Sequence, residues 1–204
     1  MIAIVDYGVG NLFSLRSSLE ALGLAAEVTG EADRLRSADR IILPGVGAFA
    51  DAKAKLDATG LVPVLREEAA RKPLLGICLG MQLLFDRSFE YGEHPGLGFV
   101  PGEVADLRQA LDDPALKVPH MGWNSLTPAK ESLLLDGLPA DPYVYFVHSY
   151  YVPYEGDPGF QGATAEYGVS FTAAVQKDNL FATQFHPEKS GEVGLQMLRN
   201  FAAI

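Results

Sequence analysis

Residues Pro73-Leu-Leu-Gly-Ile-Cys-Leu-Gly-Met-Gln82 carry the reading that decides the fold. A short apolar run leads into Cys78, the only cysteine of the chain, and Gly76 and Gly80 bracket it. The run predicts a strand buried on both faces. The glycines predict a tight turn into a helix, at a place where Cβ atoms would collide. Such a turn pushes the thiol out of the sheet, and the N–H groups of the following helix favour its thiolate form. The plain alternative for a lone cysteine is a small buried hydrophobe.

A nucleophilic thiol needs an imidazole to take its proton and a carboxylate to orient that imidazole. Far downstream, Gln184-Phe-His-Pro-Glu-Lys189 supplies both in His186 and Glu188. A lone His-x-Glu is also an ordinary ion pair at a strand end. His148, which closes the apolar run Tyr143 to His148, is the rival base. His94 reads as a surface residue and His120 as a structural one. The histidines lack the spacing of a zinc site, and one cysteine cannot complete a thiolate-rich one, so no metal is expected.

Outward from Cys78, the first half alternates strand and helix signals. Ile2 to Val5 and Ile41 to Leu43 read as buried strands. Leu12, Leu15, Leu19 and Leu22 recur at helical spacing up to Gly23, and Leu61 to Arg71 reads as a second helix. This alternation implies parallel strands with right-handed crossovers. In the second half, Tyr143 to His148, Ala163 to Tyr167, Phe171 to Gln176 and Leu180 to Phe185 read as antiparallel strands and hairpins. Gly191 to Ile204 reads as a closing helix. The fold class is α/β: a mixed, mostly parallel sheet flanked by helices, with a hairpin-rich second half, in a single domain over 1–204.

Bulk properties narrow the function. At 204 residues with 48% hydrophobic content, the chain is large enough for a real core and is not disordered. A net charge of −10 argues against binding nucleic acid, which needs clustered Lys and Arg. Met1 to Asp6 reads as a core strand rather than a signal peptide, and no apolar stretch is long enough for a membrane span. A soluble, cytoplasmic protein is expected. Asp6-Tyr-Gly-Val-Gly10 invites a dinucleotide reading, but Phe13 stands where the third glycine would fall, so a simple turn is favoured and no cofactor is expected.

The cysteine and His-Pro-Glu elements resemble those of the class I, or triad, glutamine amidotransferases. Pro44-Gly-Val-Gly-Ala-Phe49, Lys117-Val-Pro-His-Met-Gly-Trp-Asn124 and Tyr145-Phe-Val-His-Ser-Tyr150 extend the similarity nearly end to end. They are most similar to the branch formed by the glutaminase subunits of imidazole glycerol phosphate synthase. The resemblance implies hydrolysis of L-glutamine to glutamate and ammonia. It also implies a heterodimer with a (β/α)8-barrel cyclase, which makes imidazole glycerol phosphate and aminoimidazole carboxamide ribotide in L-histidine biosynthesis. Phe13 and Phe89 depart from the pattern, in place of a basic residue and within an acidic cluster.

For Pro44 to Gly47 the choice lies between a tight turn and an oxyanion hole, since acyl transfer needs preorganised N–H donors. Leu79 N–H, next to the nucleophile, is one natural donor. The resemblance implies a second from the loop at Val46 and Gly47, and its two glycines suggest a peptide that rotates as a switch. Gln82 lies one helical turn beyond Cys78 and can share the pocket face. The resemblance makes Gln82 and Glu90 substrate contacts, with His148, Ser149 and Tyr150 contributing backbone. It places Asn11, Met121, Trp123 and Lys189 against the partner, with Met121 and Trp123 on a loop-like stretch. Another amidotransferase pathway, a stand-alone γ-glutamyl cysteine hydrolase and a non-enzymatic binding subunit remain as alternatives.

Overall fold

The computed structural model describes residues 1–129, 132–154 and 161–204. The first half runs β1 (Ile2–Val5), α1 (Leu12–Ala21), β2 (Ala26–Thr29), α2 (Ala32–Ser37), β3 (Arg40–Leu43), α3 (Phe49–Ala58), α4 (Val62–Ala69), β4 (Leu74–Ile77) and α5 (Leu79–Leu83). Short strands follow as β5 (Arg87–Ser88), β6 (His94–Pro95) and β7 (Glu103–Asp106), then α6 (Leu107–Ala110), β8 (His120–Ser125) and β9 (Thr127–Pro128). The chain ends with β10 (Tyr143–His148), β11 (Tyr150–Tyr151), β12 (Gln161–Glu166), β13 (Ser170–Lys177), β14 (Leu180–Thr183) and α7 (Gly191–Ala203).

Eight strands form the main sheet in the order β2-β1-β3-β4-β14-β13-β12-β9. From β2 to β14 every pairing is parallel, and beyond β14 every pairing is antiparallel. Alternate side chains of each strand enter two cores. Ala3, Val5, Ile41 and Leu43 meet Leu56 of α3 and Leu65 of α4 on one face. Ile2, Ile4, Ile42 and Leu75 meet Leu15 and Leu19 of α1 and Leu198 and Phe201 of α7 on the other. Period-2 alternation between two helical layers explains why these strands read as unbroken apolar runs.

Local chemistry sets the boundaries. Gly23 adopts φ +71, its N–H donates to Glu20 O at 2.9 Å and Leu24 N–H to Leu19 O at 3.0 Å. These two bonds are a Schellman cap, and they end α1 where the leucine stripe stops. The glycines around Cys78 allow close approach. A Cβ on Gly80 would lie 1.9 Å from Leu43 O, and one on Gly76 would lie 2.8 Å from Gly80 O. The first turn of α5 therefore presses directly on the backbone of β3 and β4.

Two expectations need correction. Leu180 to Thr183 is not only part of a hairpin: β14 pairs antiparallel with β13 but parallel with β4, at the centre of the sheet. Met121 and Trp123 lie on strand β8, not on a loop, paired antiparallel with β10. Their glycine and proline neighbours conceal a strand whose outer face is exposed. Ile41 to Leu43 stands as the buried strand it was read to be, β3, and a half-buried strand that the sequence did not reveal, β2, precedes it. Among the described residues, no helix is long and apolar enough to cross a membrane.

Candidate active site

The site lies at the C-terminal ends of β4 and β14, where open parallel sheets bind ligands. Ile77 and Thr183 are register partners, so the residues after each strand emerge side by side. Cys78 follows the first, and Gln184 to His186 follow the second. Cys78 adopts φ 55 and ψ −111, and its N–H donates to Thr183 O at 2.7 Å. A non-glycine residue held at positive φ stores strain that the surrounding contacts must hold in place. The thiol is nearly buried and faces the Val147 carbonyl at 3.9 Å.

His186 Nδ1 lies 2.9 Å from Glu188 Oε1, with both side chains buried. His186 N–H donates to Tyr145 O at 3.0 Å, and Ser190 Oγ donates to His186 O at 2.7 Å. The His-Pro-Glu turn is thus fixed from both ends. His186 Nε2 is buried without a partner at ordinary hydrogen-bond geometry, yet the neighbouring Cys78 sulfur favours the imidazolium, first as a hydrogen-bond partner and then through charge. Burial opposes charging His186, but the Cys78 thiol and Glu188 outweigh it, and the imidazole pKa is pushed up to about 10.

Cys78 and His186 open into a cleft of about 290 Å³. Val46, Gly47, Leu79, Gln82, Glu90, His148, Ser149 and Tyr150 all line it, together with Pro119 and Val147. The structure therefore gathers every residue expected at the substrate or the oxyanion into one cavity. Glu90 Oε2 accepts from Phe49 N–H at 2.6 Å, and burial pushes its carboxyl up against the pull of that bond and of His94. Gln82 Nε2 donates to Tyr150 O at 3.0 Å and to Gln184 Oε1 at 2.9 Å. Both of its amide hydrogens are thus spent inside the protein, so Gln82 shapes the pocket wall rather than offering free donors.

The N–H expected to serve as an oxyanion donor is also engaged. Leu79 N–H donates to Gly45 O at 3.2 Å. The Gly45–Val46 peptide therefore turns its acceptor, not its donor, towards the nucleophile turn. Gly47 stands at φ +91 on the far side of that peptide.

The residues expected at a partner lie apart from the cleft. Met121 and Trp123 are exposed at 61% and 56%, on the outer face of the β8–β10 ribbon. Lys189 Nζ lies 6.0 Å from the centre of the Tyr145 ring, on that same face. Asn11 does not line the cleft but lies behind it, in a second, very small cavity with Pro44 and Glu188 that shares Val46 and His186 with the cleft. His148 is excluded as the base by its bonds: it pairs with His120 at 3.0 Å and with Tyr150 O at 2.9 Å. Sequence reasoning gave no role to Gln184, whose Nε2 lies 3.8 Å from Cys78 Sγ. Its position two residues before His186 was the available signal, because extended chain repeats its facing every second residue.

Comparison with known proteins assigns the family. The family model for glutamine amidotransferase class-I matches residues 3–204. The chain is 49% identical over 204 residues to the imidazole glycerol phosphate synthase subunit HisH of Syntrophotalea carbinolica, covering 98% of each chain. It is also 49% identical to the HisH subunit of Moorella thermoacetica, covering 100% of this chain and 94% of that one. Among solved structures, PurLQS from Thermotoga maritima superposes with a TM-score of 0.76, over 99% of this chain and 97% of that one. At 19% identity that likeness speaks for the fold alone. Matches spanning almost every residue leave one assignment: the chain belongs to the glutamine amidotransferase class-I family.

Proposed function

We propose that this chain is the glutaminase subunit of an imidazole glycerol phosphate synthase, a cytoplasmic single-domain protein over residues 1–204. The carrying observation is that adjacent parallel strands deliver Cys78 and His186 to one cleft, with Glu188 held against His186 Nδ1. The near-full-length similarity to subunits of that synthase supports the choice of pathway.

In this reading the Cys78 thiolate attacks the side-chain amide carbon of glutamine. His186, charged and oriented by Glu188, gives its proton to the departing ammonia and leaves a glutamyl thioester. His186 then takes a proton from water, the hydroxide displaces the thiolate, and glutamate leaves. Glu90 receives the substrate ammonium, and the backbone of His148, Ser149 and Tyr150 receives its carboxylate end. Oxyanion stabilisation requires Leu79 N–H to be released from Gly45 O. Rotation of the Gly45–Val46 peptide would do this and turn Val46 N–H inward, the change falling on ψ of Gly45, which has no Cβ, and on φ of Val46. The resting site is therefore gated.

Ammonia released into water would be protonated, so delivery to a docked acceptor completes the function. The exposed Met121 and Trp123, with Lys189 and Asn11, form the docking face for a (β/α)8-barrel cyclase subunit. Exposed aromatic residues of this kind anchor interfaces. Phe13, 82% exposed, adds apolar area where a basic residue was expected.

The test is glutamate release by the purified chain, alone and with the cyclase and its ribonucleotide ligand. Stimulation by both, lost in Cys78→Ala, is expected. High activity indifferent to the cyclase would move the protein to another pathway or to a stand-alone hydrolase.

A further inference from the structure

A line of hydrogen bonds runs beneath the cleft without entering the chemistry above. His120 and His148 are register partners across β8 and β10, and His120 Nδ1 lies 3.0 Å from His148 Nε2. His148 Nδ1 lies 2.9 Å from Tyr150 O. A carbonyl can only accept, so His148 carries its proton on Nδ1 and its Nε2 is an acceptor. His120 must then donate from Nδ1, leaving its own Nε2 to face Asn124 Nδ2 at 3.4 Å. Each ring is neutral and has one allowed tautomer. The same Tyr150 carbonyl takes Gln82 Nε2, Gln82 continues to Gln184, and Gln184 reaches the Cys78 sulfur.

We propose that His120 is a positioning residue for the glutamine pocket: acting through His148, it fixes the Tyr150 carbonyl and the Gln82 amide beside the substrate. This rests on the glutaminase reading. His120 does not line the cleft, whereas His148, Tyr150 and Gln82 do. Both histidines are buried, at 3% and 6% exposure, so a lost partner leaves a buried polar nitrogen that is costly to satisfy. Without the His120 donor, His148 Nε2 has three options. It stays unpaired, takes a second proton inside the protein, or swaps tautomer and gives up Tyr150. Each displaces the segment that holds the substrate.

His120 also has a packing role. Its ring stacks on Tyr167, with centroids 4.0 Å apart, and on Phe146 at 4.9 Å. The two roles separate by substitution. His120→Asn places an amide N–H near the Nδ1 position and gives up the ring. His120→Phe keeps the ring and removes the donor.

The experiment measures KM and kcat for glutamine with the cyclase and its ribonucleotide ligand bound, together with iodoacetamide alkylation of Cys78 and thermal melting. His120→Phe is expected to raise KM about tenfold, the equivalent of one buried hydrogen bond, with the alkylation rate unchanged. His120→Asn is expected to stay within about threefold of the parent in KM, despite a lower melting temperature. Folded His120→Phe with parental KM would overturn the proposal, as would equal KM defects in both variants, which would mean packing alone. Should His120→Phe fail to fold, ¹⁵N NMR of the parent decides: His148 must show a protonated Nδ1 and a bare Nε2, and the opposite tautomer overturns the link. A parent chain that releases no glutamate would instead sink the glutaminase reading, and this inference with it.

Discussion

The N–H of Leu79 donates to the carbonyl of Gly45 across 3.2 Å, so the donor beside the nucleophile is occupied by the protein's own backbone. The proposed hydrolysis needs that donor for substrate. The glycines on the loop then have different jobs, and substitution should tell them apart. A Cβ on Gly47 meets nothing within 4 Å, so Gly47→Ala suffers only the backbone strain of φ +91, about 1–2 kcal/mol. It is expected to fold, to melt a few degrees lower, and to lose at least about tenfold in partner-stimulated turnover. Unchanged stimulated turnover would show that the loop beyond Val46 need not move for the site to work. Gly45→Ala is a different case, because its Cβ would sit 2.7 Å from Gly80 N and disturb the nucleophile turn itself.

Glu188→Gln should lower the His186 pKa from about 10, because it removes one of the two groups that hold the imidazolium. Turnover is expected to fall about a hundredfold or more, as when a triad carboxylate becomes an amide. NMR titration of His186 beside steady-state kinetics checks both. The folded pKa lies above the unfolded 6.5, so His186 contributes stability fully below pH 6.5 and loses it as pH climbs through about 10. The parent should therefore unfold more readily at pH 10 than at pH 7, and Glu188→Gln should flatten that slope.

His120 and His148 predict the opposite slope on the acid side. Burial pushes His120 down to about 4, and burial, with His120 and His186 nearby, pushes His148 down to about 3. Both stay neutral when folded, while the unfolded chain takes up protons near 6.5. Their stability is complete above that value and is lost as pH falls towards 4 and 3. Each contributes a slope of up to about 1.4 kcal/mol per pH unit. Urea unfolding between pH 6.5 and 4.5 measures it, and His120→Asn should remove one histidine's share.

Lys72 offers a stability test remote from the chemistry. Its Nζ lies 2.7 Å from Glu68 Oε2 and donates to the carbonyls of Leu35, Arg36 and Ala38 at the end of α2. Lys72→Met strands a buried carboxylate and is expected to cost about 3–5 kcal/mol, with kcat of the folded fraction unchanged. Adding Glu68→Leu should recover much of the loss. A double variant no better than the single would show that the carbonyl contacts dominate.

Elements with an unbroken apolar run or a clear helical stripe were legible in the sequence. The strand before Cys78, the α1 leucines ending at Gly23 and the Tyr143–His148 strand stand where they were expected. The edge strand β2 was hidden because Ala-Glu-Val-Thr alternates over only four, mostly half-buried residues, too short a run to stand out. β8 was hidden by its glycine and by an outer face that is apolar yet exposed. Pairing direction was the deeper gap. Leu180 to Thr183 reads the same beside β13 or β4, and only the assembled sheet decides that it joins both. In the site, the cleft residues were found by resemblance. The states of Leu79 and Gln82 were not, because a sequence records a donor but not the acceptor that occupies it.

The place of β14 has a consequence for synthesis. A chain leaving the ribosome displays β1, β3 and β4, and with them the thiol, long before Leu180 to His186 exist. Until β14 slots in, β4 keeps a raw parallel edge and Cys78 has neither its base nor the Thr183 carbonyl that anchors its backbone. On the proposed mechanism the nascent chain thus carries its thiol without its base, so closing the sheet and assembling the site are one event.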